Sequence, residues 1–183
     1  MSYENEMISA RLSEWVSGME QFQLPDWEKL PPLELYMDQV IILLKQYLSP
    51  LYPSDDEKAI TASIINNYVR MKVMPPPVKK KYARVHLAYL IMICLLKQSL
   101  SISCIQRMLP SEKNEEDVKA VYNNFVEQYH TVCDTFIHAT QRAEVPSLPN
   151  PCENFLISCA ILSSLSTGLT EFLLYEKDAK PPK

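Results

Sequence analysis

Only two glycines, Gly18 and Gly168, occur in 183 residues. Glycine reaches positive φ freely and lets a backbone close on a ligand, so the glycine-rich phosphate loops of Rossmann and P-loop proteins are excluded. Acid is missing from the middle of the chain: Lys58 to Ser111 holds no Asp or Glu. Cysteine is sparse and shows no CxxC spacing; Cys94, Cys104, Cys133, Cys152 and Cys159 are odd in number and mostly sit in apolar patterns. There a free thiol acts as a small hydrophobe in a reduced compartment. The opening MSYENEMISA has neither the basic nor the apolar region of a secretory signal, and a cytoplasmic protein is expected. The uncharged run from Asn154 to Thr170 is short for a membrane span and rich in serine, so it reads as a buried helix and no membrane association is expected. No elbowed nucleophile, paired-carboxylate cleft or cofactor loop is present. Neither catalysis nor a cofactor is therefore expected.

What is present is proline and helical periodicity. Fourteen prolines separate stretches with apolar residues at helical spacing. Ile8, Leu12, Trp15, Val16 and Met19 mark a first helix, and Leu33, Tyr36, Met37, Val40, Leu43, Leu44 and Tyr47 mark a second. The proline-bounded connector Gln23 to Pro32 lies between them. Ser54 and Glu57 have capping-box spacing. Thr61 is placed to cap a third helix with Ile64, Ile65, Tyr68, Val69 and Met71 on one face and Ser63, Asn66, Asn67 and Arg70 on the other. That helix must stop before Pro75 to Pro77. Arg84 to Leu96 is apolar nearly all round, which predicts a buried helix. Ser101 caps a short helix with Ile102, Ile105, Met108 and Leu109. A long helix is expected from about Asn114 to Ala143, and a last apolar one from Glu153 to Tyr175. The class is all-α, in three segments: 1–57, N-terminal helices packing on the core; 58–111, a basic module; and 112–183, a dimerisation or effector region.

Charge separates the middle segment from the rest. Lys58, Arg70, Lys72, Lys79, Lys80, Lys81, Arg84, Lys97 and Arg107 give residues 58–111 a charge of +9, leaving nine bases and 22 acids, −13, elsewhere. Such asymmetry points to a polyanionic partner. A capped helix with small polar and basic side chains, then the stiff basic elbow VMPPPVKKKY, is what duplex DNA requires. Asn and Arg suit base edges in the major groove, and lysines beside them neutralise phosphates.

The run ITASIINNYVRMKVMPPPVKKKYARVHLAYLIMICLLKQSLSISCIQRML resembles the winged helix-turn-helix of the mercury-resistance regulator (MerR) family. Tyr68 and Arg70 match the Tyr and Arg of that family's reading helix. Val73, Met74 and Pro76 match its turn, Tyr82 its wing tyrosine, and Ser101, Ile102 and Ile105 its last element. Asn66-Asn67 replaces the usual Arg-Tyr, Lys72 replaces the turn glycine, the wing is short and lacks glycine, and the first helix of the motif is displaced by an insertion around Ser49–Asp56. LPDWEKLPPLELYMDQV together with INNYV…PPPVKKKY…HLAYLI also resembles a domain of unknown function common in Firmicutes, a family of uncharacterised proteins. The resemblance implies a MerR-like helix-turn-helix core with a short basic wing, acting as a transcriptional regulator on double-stranded DNA.

Ser63, Asn66, Asn67 and Arg70 on the 61–72 helix are then the expected base readers. Lys72, Lys79, Lys80, Lys81 and Arg84, mostly on the 79–84 elbow, are the expected phosphate contacts. The alternative is a non-enzymatic adaptor using the same module on an acidic protein. His86 reads as a contact at the start of its helix. In the long helix, Val118, Tyr122, Phe125, Tyr129, Val132, Phe136, Ala139 and Ala143 alternate steps of four and three, a heptad seam. It fits a homodimer, or else an intrachain hairpin with the last helix. Glu127, His130, Asp134 and His138, beside Cys133, have metal-ligand spacing, but a solvated polar stripe is the commoner meaning, and no metal is expected.

Overall fold

The computed structural model describes residues 5–49, 60–109 and 114–142, together with Ser163, Ser166 and Thr167. Expectations for Ser54–Glu57, Asn154–Thr170 and the Glu153–Tyr175 helix fall wholly or largely outside these residues. Six helices are present among them: α1 (Asn5–Gln21), α2 (Met37–Leu48), α3 (Ala62–Arg70), α4 (Arg84–Leu96), α5 (Ile102–Met108) and α6 (Glu115–Arg142). The described chain has no strand, only the isolated antiparallel bridges Leu35–Tyr82 and Val78–Lys81, and the all-α expectation holds. No described helix is long and apolar enough to cross a membrane.

The helix starts follow from local chemistry. The Thr61 hydroxyl accepts from the Ile64 N–H at 3.3 Å and the Ser101 hydroxyl from the Cys104 N–H at 3.3 Å, both as the sequence pattern predicts. Asn114 caps α6 by accepting from the Asp117 N–H at 2.9 Å. Glu115, Glu116 and Asp117 then lie at the positive end of that helix's dipole. The Tyr36 N–H donates to the Gln39 side-chain oxygen at 2.9 Å, fixing the start of α2.

The chain divides into two compact units, Leu24–Gln128 and Met1–Gln23 with Tyr129–Lys183. The described residues 24–49 fall in the same unit as residues 60–109. In Leu24–Gln128, α4 is the axle. Its residues His86 to Leu95 are all buried, as an apolar surface on every side requires. α2 packs against α3 and α4. Val40, Leu44 and Leu48 of α2, Ile65 and Tyr68 of α3, Cys104 and Ile105 of α5, and Val118 and Tyr122 of α6 supply more of the core. Burial pushes the Cys94 thiol up to about 12, so it is an inert core group.

The proline-bounded connector before α2 is a clasp. Asp26 caps a 3-10 turn over Trp27–Lys29. The buried Trp27 donates its backbone N–H to Asn123 Oδ1 at 3.0 Å, and its ring meets the Tyr122 ring edge-on at 6.3 Å. The Tyr122 hydroxyl donates to the Pro25 carbonyl at 2.7 Å. On the surface, the Lys119 ammonium, 2.7 Å from Glu28, holds that carboxyl below its ordinary range.

In the second unit, Trp15 meets Phe136 at 6.0 Å and Phe22 meets Tyr129 at 6.1 Å, both edge-on, while Val16, Met19 and Ile137 are buried. The heptad seam is therefore largely used within the chain. Val118 and Tyr122 are buried in one unit, Tyr129 and Phe136 have aromatic partners in the other, and Phe125 is half-buried. Val132 stays 64% exposed, alone among the six seam residues in being so open.

Replacing Tyr122 with Phe keeps the ring and removes one buried hydrogen bond, leaving the Pro25 carbonyl without its donor. A loss of about 1–3 kcal/mol of stability is expected. In urea denaturation the midpoint should fall with the slope unchanged. An unchanged midpoint would show that the clasp does not depend on this bond.

Candidate nucleic-acid interface

The site starts with the two faces of α3. Ile65 and Tyr68 are buried and Val69 is half-buried, so the helix is seated through these three. Ile64 and Met71, expected on the same apolar face, are instead 38% and 43% exposed. Each turn of the chain by about 100° per residue puts them roughly 100–120° from Ile65, at the edge of the buried sector. Opposite the core, Ser63, Asn66 and Arg70 are exposed and Asn67 is half-buried. These four and Ile64 line one open depression of about 620 Å³. The four expected base readers are thus gathered on one accessible surface. Arg70 Nη2 donates to Asn67 Oδ1 at 2.6 Å, and Asn67 Nδ2 lies 3.4 Å from the Met71 sulfur.

The end of α3 closes with a Schellman motif. The Val73 N–H donates to the Tyr68 carbonyl at 3.0 Å and the Lys72 N–H to the Val69 carbonyl at 3.0 Å. The residue between helix and exit must take left-handed backbone, a place usually held by glycine. Here it is Lys72, with φ 55°. Val73 and Tyr68, the two positions where the motif places its hydrophobic pair, are both buried. Gln106 of α5 donates to the carbonyls of Met71 and Lys72 at 3.3 and 3.4 Å, bracing the same exit.

The elbow closes in a two-residue turn. The Lys81 N–H donates to the Val78 carbonyl at 2.9 Å and the Val78 N–H to the Lys81 carbonyl at 3.2 Å. Lys79 and Lys80 have φ 50° and 65°. Positive φ at both central residues is the signature of a type I′ hairpin turn, for which Asn-Gly is the favoured pair. Tyr82 then pairs with Leu35, N–H to carbonyl in both directions at 2.8 and 2.9 Å. Lys79 and Lys80 are exposed at the tip, whereas Lys81 pairs with Glu34 at 3.3 Å.

His86 anchors this turn to the core. It is buried, meets Tyr82 edge-on at 5.5 Å, and accepts from the Ala83 N–H through Nδ1 at 3.0 Å. Its Nε2 lies 3.2 Å from the Pro76 carbonyl. Both contacts are satisfied by the neutral ring with its proton on Nε2. The expectation of a contact at the helix start holds, and the ring also ties the prolines to α4.

Not every expected phosphate contact is on the surface. The Arg84 guanidinium lies 5.6 Å from the centre of the Trp27 ring and 3.6 Å from Glu28, with its side chain 17% exposed. It is held by the clasp. Glu34 and Gln106 escaped notice in the sequence because both act on residues more than thirty positions away. His130 is half-buried and Asp134 and His138 are exposed on α6. Among the described residues no three His, Cys, Asp or Glu side chains converge to hold a metal ion.

Residues 25–125 match a family described as a domain of unknown function (DUF1836). No curated protein and no solved structure matches the chain.

Replacing Lys72 with Gly relieves left-handed strain without touching the core. It should raise stability by about 1 kcal/mol in chemical denaturation. A loss of stability would mean that the exit does not carry that strain.

Proposed function

We propose that this chain, which belongs to the DUF1836 family, is a non-enzymatic transcriptional regulator that binds duplex DNA through a winged helix-turn-helix of MerR-like type. In this reading α3 enters the major groove and the 78–81 turn is the wing. Ser63, Asn66, Asn67 and Arg70 face the bases, while Lys72, Lys79 and Lys80 meet phosphates. Lys81 is partly neutralised by Glu34, and Arg84 keeps its place over Trp27, so both contribute less than the sequence led one to expect. A homodimer is part of the same reading. Since the seam is mostly used inside the chain, its docking would centre on Val132.

One observation carries the reading. Lys72, Lys79 and Lys80 are the non-glycine residues with positive φ among the described residues. Left-handed backbone costs a residue with a side chain about 1–2 kcal/mol, and glycine or asparagine would reduce that cost. All three places hold lysine, and all three lie beside the polar face of α3 or at the tip of the turn. Strain retained at exposed positions points to function, and the chemistry retained here is positive charge. Residues 58–111 around these lysines contain no Asp or Glu of their own.

The double change Lys79→Asn with Lys80→Gly converts the tip into the favoured type I′ pair. It should raise stability by about 1–2 kcal/mol. It should also weaken binding to every duplex alike, making the slope of log K against log salt shallower by about 1.8, two phosphate contacts' worth. Anisotropy with a fluorescent mixed-sequence duplex measures the second effect and urea melting the first. Gain of stability with unchanged affinity and slope would remove the wing from the interface.

A further inference from the structure

We propose that Asn67 is an orienting residue rather than a base reader, and that it presets Arg70 to read a single guanine. The inference rests on the DNA-binding reading above. An asparagine that reads adenine must offer its amide oxygen and nitrogen together to one base edge. In Asn67 both ends are engaged: the oxygen accepts from Arg70 Nη2 at 2.6 Å, and the nitrogen faces the Met71 sulfur at 3.4 Å. The side chain is half-buried, whereas Asn66, one position away, is exposed and its side chain makes no hydrogen bond among the described residues. Asn66 is the asparagine free to meet a base.

The same bond fixes Arg70. A guanidinium carries five N–H donors in a planar fork, so one spent on Asn67 leaves the others for a ligand. Its place in the last turn of α3, three residues after Asn67, puts the fork on the face shared with Ser63 and Asn66, along the open depression. Two parallel donors match the O6 and N7 acceptors of guanine, a pattern that no other base offers in the major groove. Holding the plane in advance reduces the side-chain freedom lost on binding. Selectivity at that base pair therefore depends on Asn67, although Asn67 does not touch it.

The experiment is selection from a random duplex library at one salt concentration with the wild type, Arg70→Ala, Asn67→Ala, the double variant and Asn67→Asp. All lie on the polar face of α3, away from the buried Ile65 and Tyr68, and circular dichroism checks each fold. The wild type should prefer guanine at one base pair by at least about 5-fold. Arg70→Ala should abolish that preference, and Asn67→Ala should reduce it at the same base pair, with no further loss in the double variant. Asn67→Asp keeps an acceptor oxygen for Arg70 and should retain the preference, read as a ratio so that its added charge cancels. Flattening at a different base pair in Asn67→Ala, or loss of the preference in Asn67→Asp, overturns the inference while leaving DNA binding intact. A wild type that binds no duplex overturns the underlying reading and the inference with it.

Discussion

The burial of α4 on every side is the constraint from which the rest of the Leu24–Gln128 unit follows. Ten consecutive residues, His86 to Leu95, are withdrawn from water, and an apolar helix of that kind is stable only when neighbours cover its whole circumference. α2 takes one side. The first residue of the buried run is a histidine, whose two ring nitrogens contact the Ala83 N–H and the Pro76 carbonyl. The core thus sets where the proline elbow must be. The Tyr82–Leu35 bridge and the Trp27 clasp hold the chain on either side of it.

With core and elbow fixed, surface chemistry is concentrated where the backbone is least comfortable. α3 is seated through Ile65, Tyr68 and Val69, which leaves Ser63, Asn66 and Arg70 of its polar face exposed. Its exit and the following turn demand positive φ at three places, and each is filled by lysine. Arginine and lysine are divided by role. Arg84 is stacked and ion-paired within the clasp, while Lys79 and Lys80 remain exposed as point charges, the form in which lysine suits phosphate. Among the described residues, Arg70 is tied to Asn67 on its own helix face.

Much of the helical scaffold was legible in the sequence because its causes are local. Thr61 and Ser101 cap the helices they precede, α4 is buried as its composition demands, and α6 spans the stretch its four-three spacing marks. The polar face of α3 was also legible, since side-chain direction follows from helical geometry alone. The handedness of Lys72, Lys79 and Lys80 was not, for lysine has no propensity that announces left-handed backbone. The single pointer was Lys72, aligned with a turn glycine in the MerR resemblance. The surroundings of Arg84 were not legible either, because its partners, Trp27 and Glu28, lie more than fifty residues earlier. The seam of α6 showed the right periodicity but could not say who would cover it, and Tyr122, Tyr129 and Phe136 are met by Trp27, Phe22 and Trp15 of the same chain.

If the exposed lysines on strained backbone bind phosphates of duplex DNA, binding by the unmodified chain must depend steeply on salt. Fluorescence anisotropy with a mixed-sequence duplex supplies the constant at two ionic strengths. Three phosphate contacts per chain predict an affinity about 40-fold weaker after a roughly fourfold rise in salt concentration. Absence of binding at the lower ionic strength, or binding indifferent to salt, would contradict the account.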